Sequence, residues 1–189
     1  MADFIDAYAI TLGHEGVYSF DPDDPGGETL YGISRVHWPD WEGWLLVDQI
    51  KAAGDLGLID TNHELKVLAE GFYKDNFWDR WKGDEMPSQM IANEMFDTAV
   101  NLSVHRAGEF LQEALNLANS NETKWQDIMV DGRIGLGTMA ALNQALGHNR
   151  ETILHNLMNH LQAGYYIRRM RQSPVMEKYI GWFNRTKTA

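Results

Sequence analysis

The strongest constraint on the fold is one block of turn chemistry near the N-terminus, Asp21-Pro22-Asp23-Asp24-Pro25-Gly26-Gly27. Proline fixes φ, glycine admits positive φ, and aspartate hydrogen-bonds its own backbone, so such a run can continue neither a helix nor a central strand. It is flanked by two short stretches rich in β-formers, Val17 to Phe20 and Thr29 to Ser34, which read as a small hairpin or irregular β lobe. The rest of the chain follows a helical period. Phe4, Ile5, Tyr8, Ala9 and Leu12 form one apolar stripe, with Asp3 as N-cap and Gly16 as stop, so a first helix is expected over about Asp3 to Glu15. Further helices are expected at Leu45 to Ala53, Asn62 to Asp79, Ser88 to Leu102, Ala107 to Leu117, Gly137 to Leu146 and Glu151 to Arg171, with a short closing helix over Pro174 to Asn184. Loops marked by Gly, Pro or Asn fall at 54–61, 82–87, 119–123 and 130–137. The expected fold is α+β, mostly α-helical, with a small β-hairpin lobe packed beside a helical lobe.

At 189 residues the chain suits one compact fold, and no flexible linker interrupts it. A formal charge of −11 argues against a general phosphate-backbone binder, so nucleic acid is not an expected partner. The net value hides an asymmetry. Residues 1–97 carry 20 acids against 6 bases, and residues 98–189 carry 7 against 10. The excess gathers at Arg168, Arg169, Arg171, Lys178, Arg185 and Lys187, a solvated face or a patch for an anionic polymer. The absence of cysteine removes disulfides, thiolate metal sites and cysteine nucleophiles together. No apolar run is long enough for a membrane span, and Met1 to Leu12 lacks the basic start of a signal peptide. Synthesis in the cytoplasm without a signal peptide is therefore expected.

The informative chemistry surrounds the turn block. Glu15 falls at the C-terminal end of the first helix, where the negative end of the macrodipole disfavours its ionised form, which suits a general acid. Asp24, in a wetter polar turn, would stay ionised as base or stabiliser, and Thr29 on the returning strand could orient a water between them. The same residues also read as a solvated helix-end acid and a turn aspartate bonded to its own backbone. Tyr18 and Tyr31, beside the acid and on the turn strand, are candidate cleft residues. Asn101, an amide in an apolar helical stretch, is a candidate for a ligand hydrogen bond or for a buried cap.

At these residues the sequence resembles glycoside hydrolase family 108, phage and bacterial N-acetylmuramidases. The likeness rests on Glu15-Gly16-Val17-Tyr18 followed by Asp24-Pro25-Gly26-Gly27-Glu28-Thr29-Leu30-Tyr31-Gly32-Ile33-Ser34. The family usually has a second Gly where Val17 stands. The Glu-x8-Asp-x4-Thr spacing is also similar to the triad of the T-even phage lysozymes, with the Thr one residue closer. Phe96-Asp97-Thr98-Ala99-Val100-Asn101, Val130-Asp131-Gly132-Arg133-Ile134-Gly135-Leu136-Gly137-Thr138, Ser173-Pro174, Lys178-Tyr179 and Gly181-Trp182-Phe183-Asn184-Arg185 resemble the predicted peptidoglycan-binding region that follows in this family, with Leu136 where Pro is usual.

The resemblance implies a lysozyme-like fold, with a catalytic region over 1–97 and a helical peptidoglycan-binding region over 98–189. It implies cleavage of the β-1,4 bond between N-acetylmuramic acid and N-acetylglucosamine by an endolysin of phage or prophage origin. Glu15 would protonate the glycosidic oxygen, Asp24 would activate water or stabilise the oxocarbenium-like transition state, and Thr29 would hold the water. Inversion is expected, with carboxyl groups about 6.5 to 9.5 Å apart. The partner would be peptidoglycan glycan strands, the protein a monomer without cofactor or metal, and the place of action the periplasm or wall after release.

Other motifs carry less. Asp21-x-Asp23 starts like a calcium loop but has Pro25 and Gly32 at positions 5 and 12, where ligands belong. His63-Glu64-Leu65-Lys66-Val67 lacks the second His of a zinc protease helix, and His155 and His160 are five apart. The glycines at 132, 135 and 137 lack the flanking elements of a phosphate loop. Trp38, Trp41, Trp44, Phe72, Tyr73, Phe77, Trp78 and Trp81 read mainly as core, with one or two left for a sugar cleft. A non-catalytic wall-binding module, or a helical interaction protein presenting its acidic half, remains the alternative reading.

Overall fold

The structure, a computed structural model, describes residues 1–12, 18–20 and 27–186. It is mostly helical with one three-stranded antiparallel sheet, in the order α1 (Phe4–Leu12), β1 (Tyr18–Ser19), β2 (Thr29–Leu30), β3 (Ile33–Ser34), α2 (Gly43–Ala53), α3 (His63–Tyr73), α4 (Gln89–Asn101), α5 (Val104–Ala118), α6 (Leu136–Gly147) and α7 (Glu151–Gln172). Short 3-10 turns fill the 56–58 and 83–85 segments, and a 3-10 stretch over Pro174–Asn184 closes the chain.

Several ends form for local reasons. The Asp3 carboxylate accepts from the amides of Ile5 at 2.8 Å and Asp6 at 3.3 Å, as an N-cap should. Ser88 caps α4 by accepting from the Ile91 amide at 3.1 Å, while its hydroxyl donates to Glu151 at 2.6 Å and so ties the start of α4 to the start of α7. α5 begins at Val104, three residues before the expected Ala107, because the Ser103 hydroxyl accepts from the Arg106 amide at 3.1 Å. The Thr29 to Ser34 stretch is two strands rather than one. Tyr31 and Gly32 both take positive φ, 48° and 80°, and make the two-residue turn of a tight hairpin.

α4 is the axis of the molecule and packs against α1, α5 and α7. It runs parallel to α1, since the Ala2 amide meets the Met86 carbonyl at one end and Ile10 faces Asn93 and Asp97 towards the other. Phe4, Trp78, Phe96 and Tyr73 interlock edge to face beneath α1 at centroid distances of 5.7 to 6.5 Å. Trp41, Trp44, Phe72, Tyr73, Trp78 and Trp81 are core as expected, whereas Trp38 is 40% exposed. α3 ends early. Its expected continuation to Asp79 becomes a π-helical turn over Lys74–Trp78 and a 3-10 turn over Asp79–Trp81, which carry Trp78 and Trp81 inward. Gly83 makes this possible, since a Cβ there would lie 2.1 Å from the Trp78 ring.

Candidate active site

Glu15 and Asp24 lie outside the described residues, as does the expected end of the first helix past Leu12. The described residues show how the strands on either side of them are held. β1 pairs with β2 so that Tyr18 faces Leu30 and Ser19 faces Thr29, and β2 pairs with β3 so that Thr29 faces Ser34. Two of the proposed site residues, Tyr18 and Thr29, therefore share one small sheet, and a third, Tyr31, stands in its β2–β3 turn. The Thr29 hydroxyl donates to the Gly27 carbonyl across a long 3.4 Å. Tyr31 offers its carbonyl to the Tyr73 hydroxyl at 2.9 Å, which fastens the β2–β3 turn to α3. Burial raises the Tyr31 phenol above its ordinary range, helped by the charges of Asp60 and Glu70. Gly32 is required beside it, because a Cβ would approach the Tyr73 hydroxyl to 2.8 Å at a φ of +80°.

The fourth residue, Asn101, is the last of α4. Its amide donates to the Asp97 carbonyl at 2.8 Å and the Asp97 carboxylate at 3.2 Å, closing the last turn of its own helix.

Glu28, which the sequence reading passed over, anchors the sheet to the helices. It is only 7% exposed and receives hydrogen bonds from the Tyr18 hydroxyl at 2.7 Å, Lys51 at 2.8 Å and Arg35 at 2.8 Å. Arg35 also forks onto Asp48 of α2 at 2.6 and 2.8 Å. Burial pushes the Glu28 carboxyl up, but the bonds from Lys51, Tyr18 and Arg35 outweigh it and hold the group below the usual carboxylate range. Burial and the bond to Glu28 push the Tyr18 phenol up. Nothing in the local sequence distinguishes Glu28 from a surface acid, since its partners lie up to 23 residues away.

A second acidic group lies deeper, between α4, α7 and the C-terminal segment. Glu94 accepts from Asn159 at 2.7 Å, and its carboxylate is 3.6 Å from the His155 ring. Asp97 accepts from Arg185 at 3.2 Å and Gln162 at 3.3 Å. Burial, and then the charge of Asp97, push the Glu94 carboxyl up to about 7. Burial raises Asp97 as well, against the pull of Arg185. Ile91, Ala92, Met95, Phe96, Thr98 and Ala99 form one buried face of α4, about 160° wide at 3.6 residues per turn, and Glu94 lies at the edge of that face with Asp97 beyond it.

The comparisons decide the family. Residues 8–102 match the family model described as Glycosyl hydrolase 108. The chain belongs to the glycosyl hydrolase 108 family. Residues 106–187 match a second model, described as Predicted Peptidoglycan domain. This member of the glycosyl hydrolase 108 family is therefore a glycoside hydrolase, and peptidoglycan is its substrate. No curated protein matches the sequence. A solved structure of Brucella abortus SagA matches the fold with a TM-score of 0.56 and 22% identity, covering 95% of each chain. Among the described residues no helix is long and apolar enough to cross a membrane.

Proposed function

We propose that this glycosyl hydrolase 108 member is an N-acetylmuramidase that cuts the β-1,4 bond between N-acetylmuramic acid and N-acetylglucosamine with inversion. Glu15 is the general acid, Asp24 the base or charge stabiliser, and Thr29 the residue that holds the attacking water. The observation that carries the reading is the Glu15, Asp24, Thr29 spacing inside the matched 8–102 region, with Thr29 on a strand pinned from both sides. With its proton directed at the Gly27 carbonyl, the Thr29 oxygen keeps lone pairs that can accept from a water. Tyr18 and Tyr31 flank that strand as substrate-binding residues, and Asn101 serves an N-acetyl group from the end of α4. The catalytic region is 1–97 and the wall-binding region 98–189. The protein acts as a monomeric endolysin of phage or prophage origin, made in the host cytoplasm and active on the wall after release.

Turbidity loss of permeabilised cells, comparing the parent with Glu15→Gln, tests the assignment. Removal of a general acid lowers the rate by about 10²- to 10⁴-fold with the fold intact. A variant that clears cells as fast as the parent overturns it. Mass spectrometry of the products checks the bond: muramic acid at the reducing end is expected, and glucosamine there or a freed peptide refutes the muramidase reading.

A further inference from the structure

Two cavities adjoin, one within the 8–102 segment and the other between that segment and the 106–187 segment. One, of about 620 Å³, lies between the 37–42 segment and the end of α3; the other, of about 590 Å³, lies between the turn after α3 and the 132–134 loop. Trp38 and Asn76 line both, so the two cavities adjoin across these side chains as a divided groove.

The groove is charged in opposite senses at its ends. Asp40, Glu42 and Asp75 line the first cavity, whereas Arg80 and Arg133 line the second. Among the described residues, Asp40, Glu42, Asp75 and Arg80 make no ion pair or side-chain hydrogen bond that would hold them to the protein.

Its walls are set in place. The Trp38 ring meets Phe72 edge to face at 4.9 Å, and its backbone is held by Ser34 and by the Trp44 indole. One face remains for a ligand, since the residue is 40% exposed although its neighbours Trp41 and Trp44 are buried. Asp75 and Asn76 sit in the π-helical turn over Lys74–Trp78, a local departure from the α-helix that recurs at functional sites. Arg133 is displayed by a loop built around the buried Gln112. That side chain accepts from the amides of Asp131 and Gly132 at 2.9 and 2.7 Å, and donates to the Asp131 carboxylate at 2.9 Å, the Arg133 carbonyl at 3.0 Å and the Thr138 hydroxyl at 3.2 Å. Gly132 lets the loop close, with φ of +67° and its carbonyl 2.3 Å from where a Cβ on Gly108 would stand. A loop fixed this firmly holds the Arg133 backbone at the cavity mouth, so only the side chain has to be ordered when it is used.

We propose that this groove binds the peptide carried by the peptidoglycan strand, its ammonium at the Asp40 and Asp75 end against the Trp38 face and its carboxylates at the Arg80 and Arg133 end. The inference rests on the reading of peptidoglycan as substrate. Charge complementarity selects the peptide over the glycan, because neutral sugars offer neither end a counter-charge, whereas an amine lies well against acids and an indole face and a carboxylate against paired guanidinium groups.

The test is titration calorimetry of the full chain with a synthetic stem tetrapeptide bearing a free side-chain amine and free carboxylates. The parent is expected to bind it saturably. Arg133→Gln and Asp75→Asn should each weaken binding about tenfold, and amidating the peptide's carboxylates should weaken the parent by at least as much while costing Arg133→Gln, which keeps only Arg80, less than it costs the parent. In the parent alone, the Trp38 indole resonance should shift on titration, a readout independent of any variant. No saturable binding, affinities unchanged in both variants, or a neutral N-acetylglucosamine tetramer binding with the same residue dependence overturns the proposal. Release of fragments from purified peptidoglycan is measured in parallel. A chain that binds the peptide but cuts no glycan bond refutes the muramidase reading alone, and one that cuts but binds no peptide refutes the groove alone.

Discussion

Replacing Glu94 by glutamine should make this protein more stable at pH 8 than the parent and leave it nearly unchanged at pH 5. Glu94 is 7% exposed, close to the Asp97 charge, and its carboxyl is pushed from an ordinary 4.5 up to about 7. Between those values the unfolded chain has lost the proton and the folded one keeps it, so the folded state binds more protons and stability falls as pH rises. The loss is complete above about pH 7. An interval from 4.5 to about 7 corresponds to about 3 kcal/mol. Glutamine preserves the shape and an oxygen for the Asn159 amide but carries no charge to desolvate. The groups facing the site are Asp97 on the same helix, His155 and Tyr166 from α7 and Arg185 from the C-terminal segment, and all are retained in the variant. With a urea m-value of about 2 to 3 kcal/mol/M, the variant's midpoint should exceed the parent's by about 1 M at pH 8 and coincide with it near pH 5. Parallel midpoints for both proteins across that range would refute the argument that Glu94 is desolvated and protonated in the fold.

Two further outcomes follow from the packing. Gly132→Ala places a Cβ 2.2 Å from the His105 ring at a positive φ, so it should cost about 1 to 3 kcal/mol and lower the thermal midpoint, with the amides of 131–134 losing hydrogen-exchange protection. Glu28→Gln removes the acid that joins Tyr18, Arg35 and Lys51. Because both cations are about a third exposed, the loss at pH 7 should be about 1 to 2 kcal/mol. The Glu28 carboxyl is held below 4.5 in the fold, so its contribution is present above that pH and lost as pH falls through the folded value; denaturation midpoints of parent and variant should converge in acid.

Sequence alone determined the helical framework, because helices are specified by neighbours three and four residues apart. The Asp3 and Ser88 caps, the long α7 and the turn block at 21–27 are all local in this sense, and the family motif at Glu15, Asp24 and Thr29 is a spacing along one short stretch. The split of Thr29 to Ser34 into two strands was harder to see, since Tyr31 replaces the Asn or Asp that usually precedes Gly in a two-residue hairpin turn. Only the tertiary structure decided which charges would be buried. Glu94 meets Asn159 across 65 residues and Asp97 meets Arg185 across 88, and no periodicity in the chain records such a meeting. Trp38 shares a three-residue spacing with Trp41 and Trp44, yet it is 40% exposed while they are buried. Burial and charge pairing are properties of surfaces that come together on folding, and for that reason the peptide-binding groove and the two acidic hubs had no counterpart in the sequence pattern.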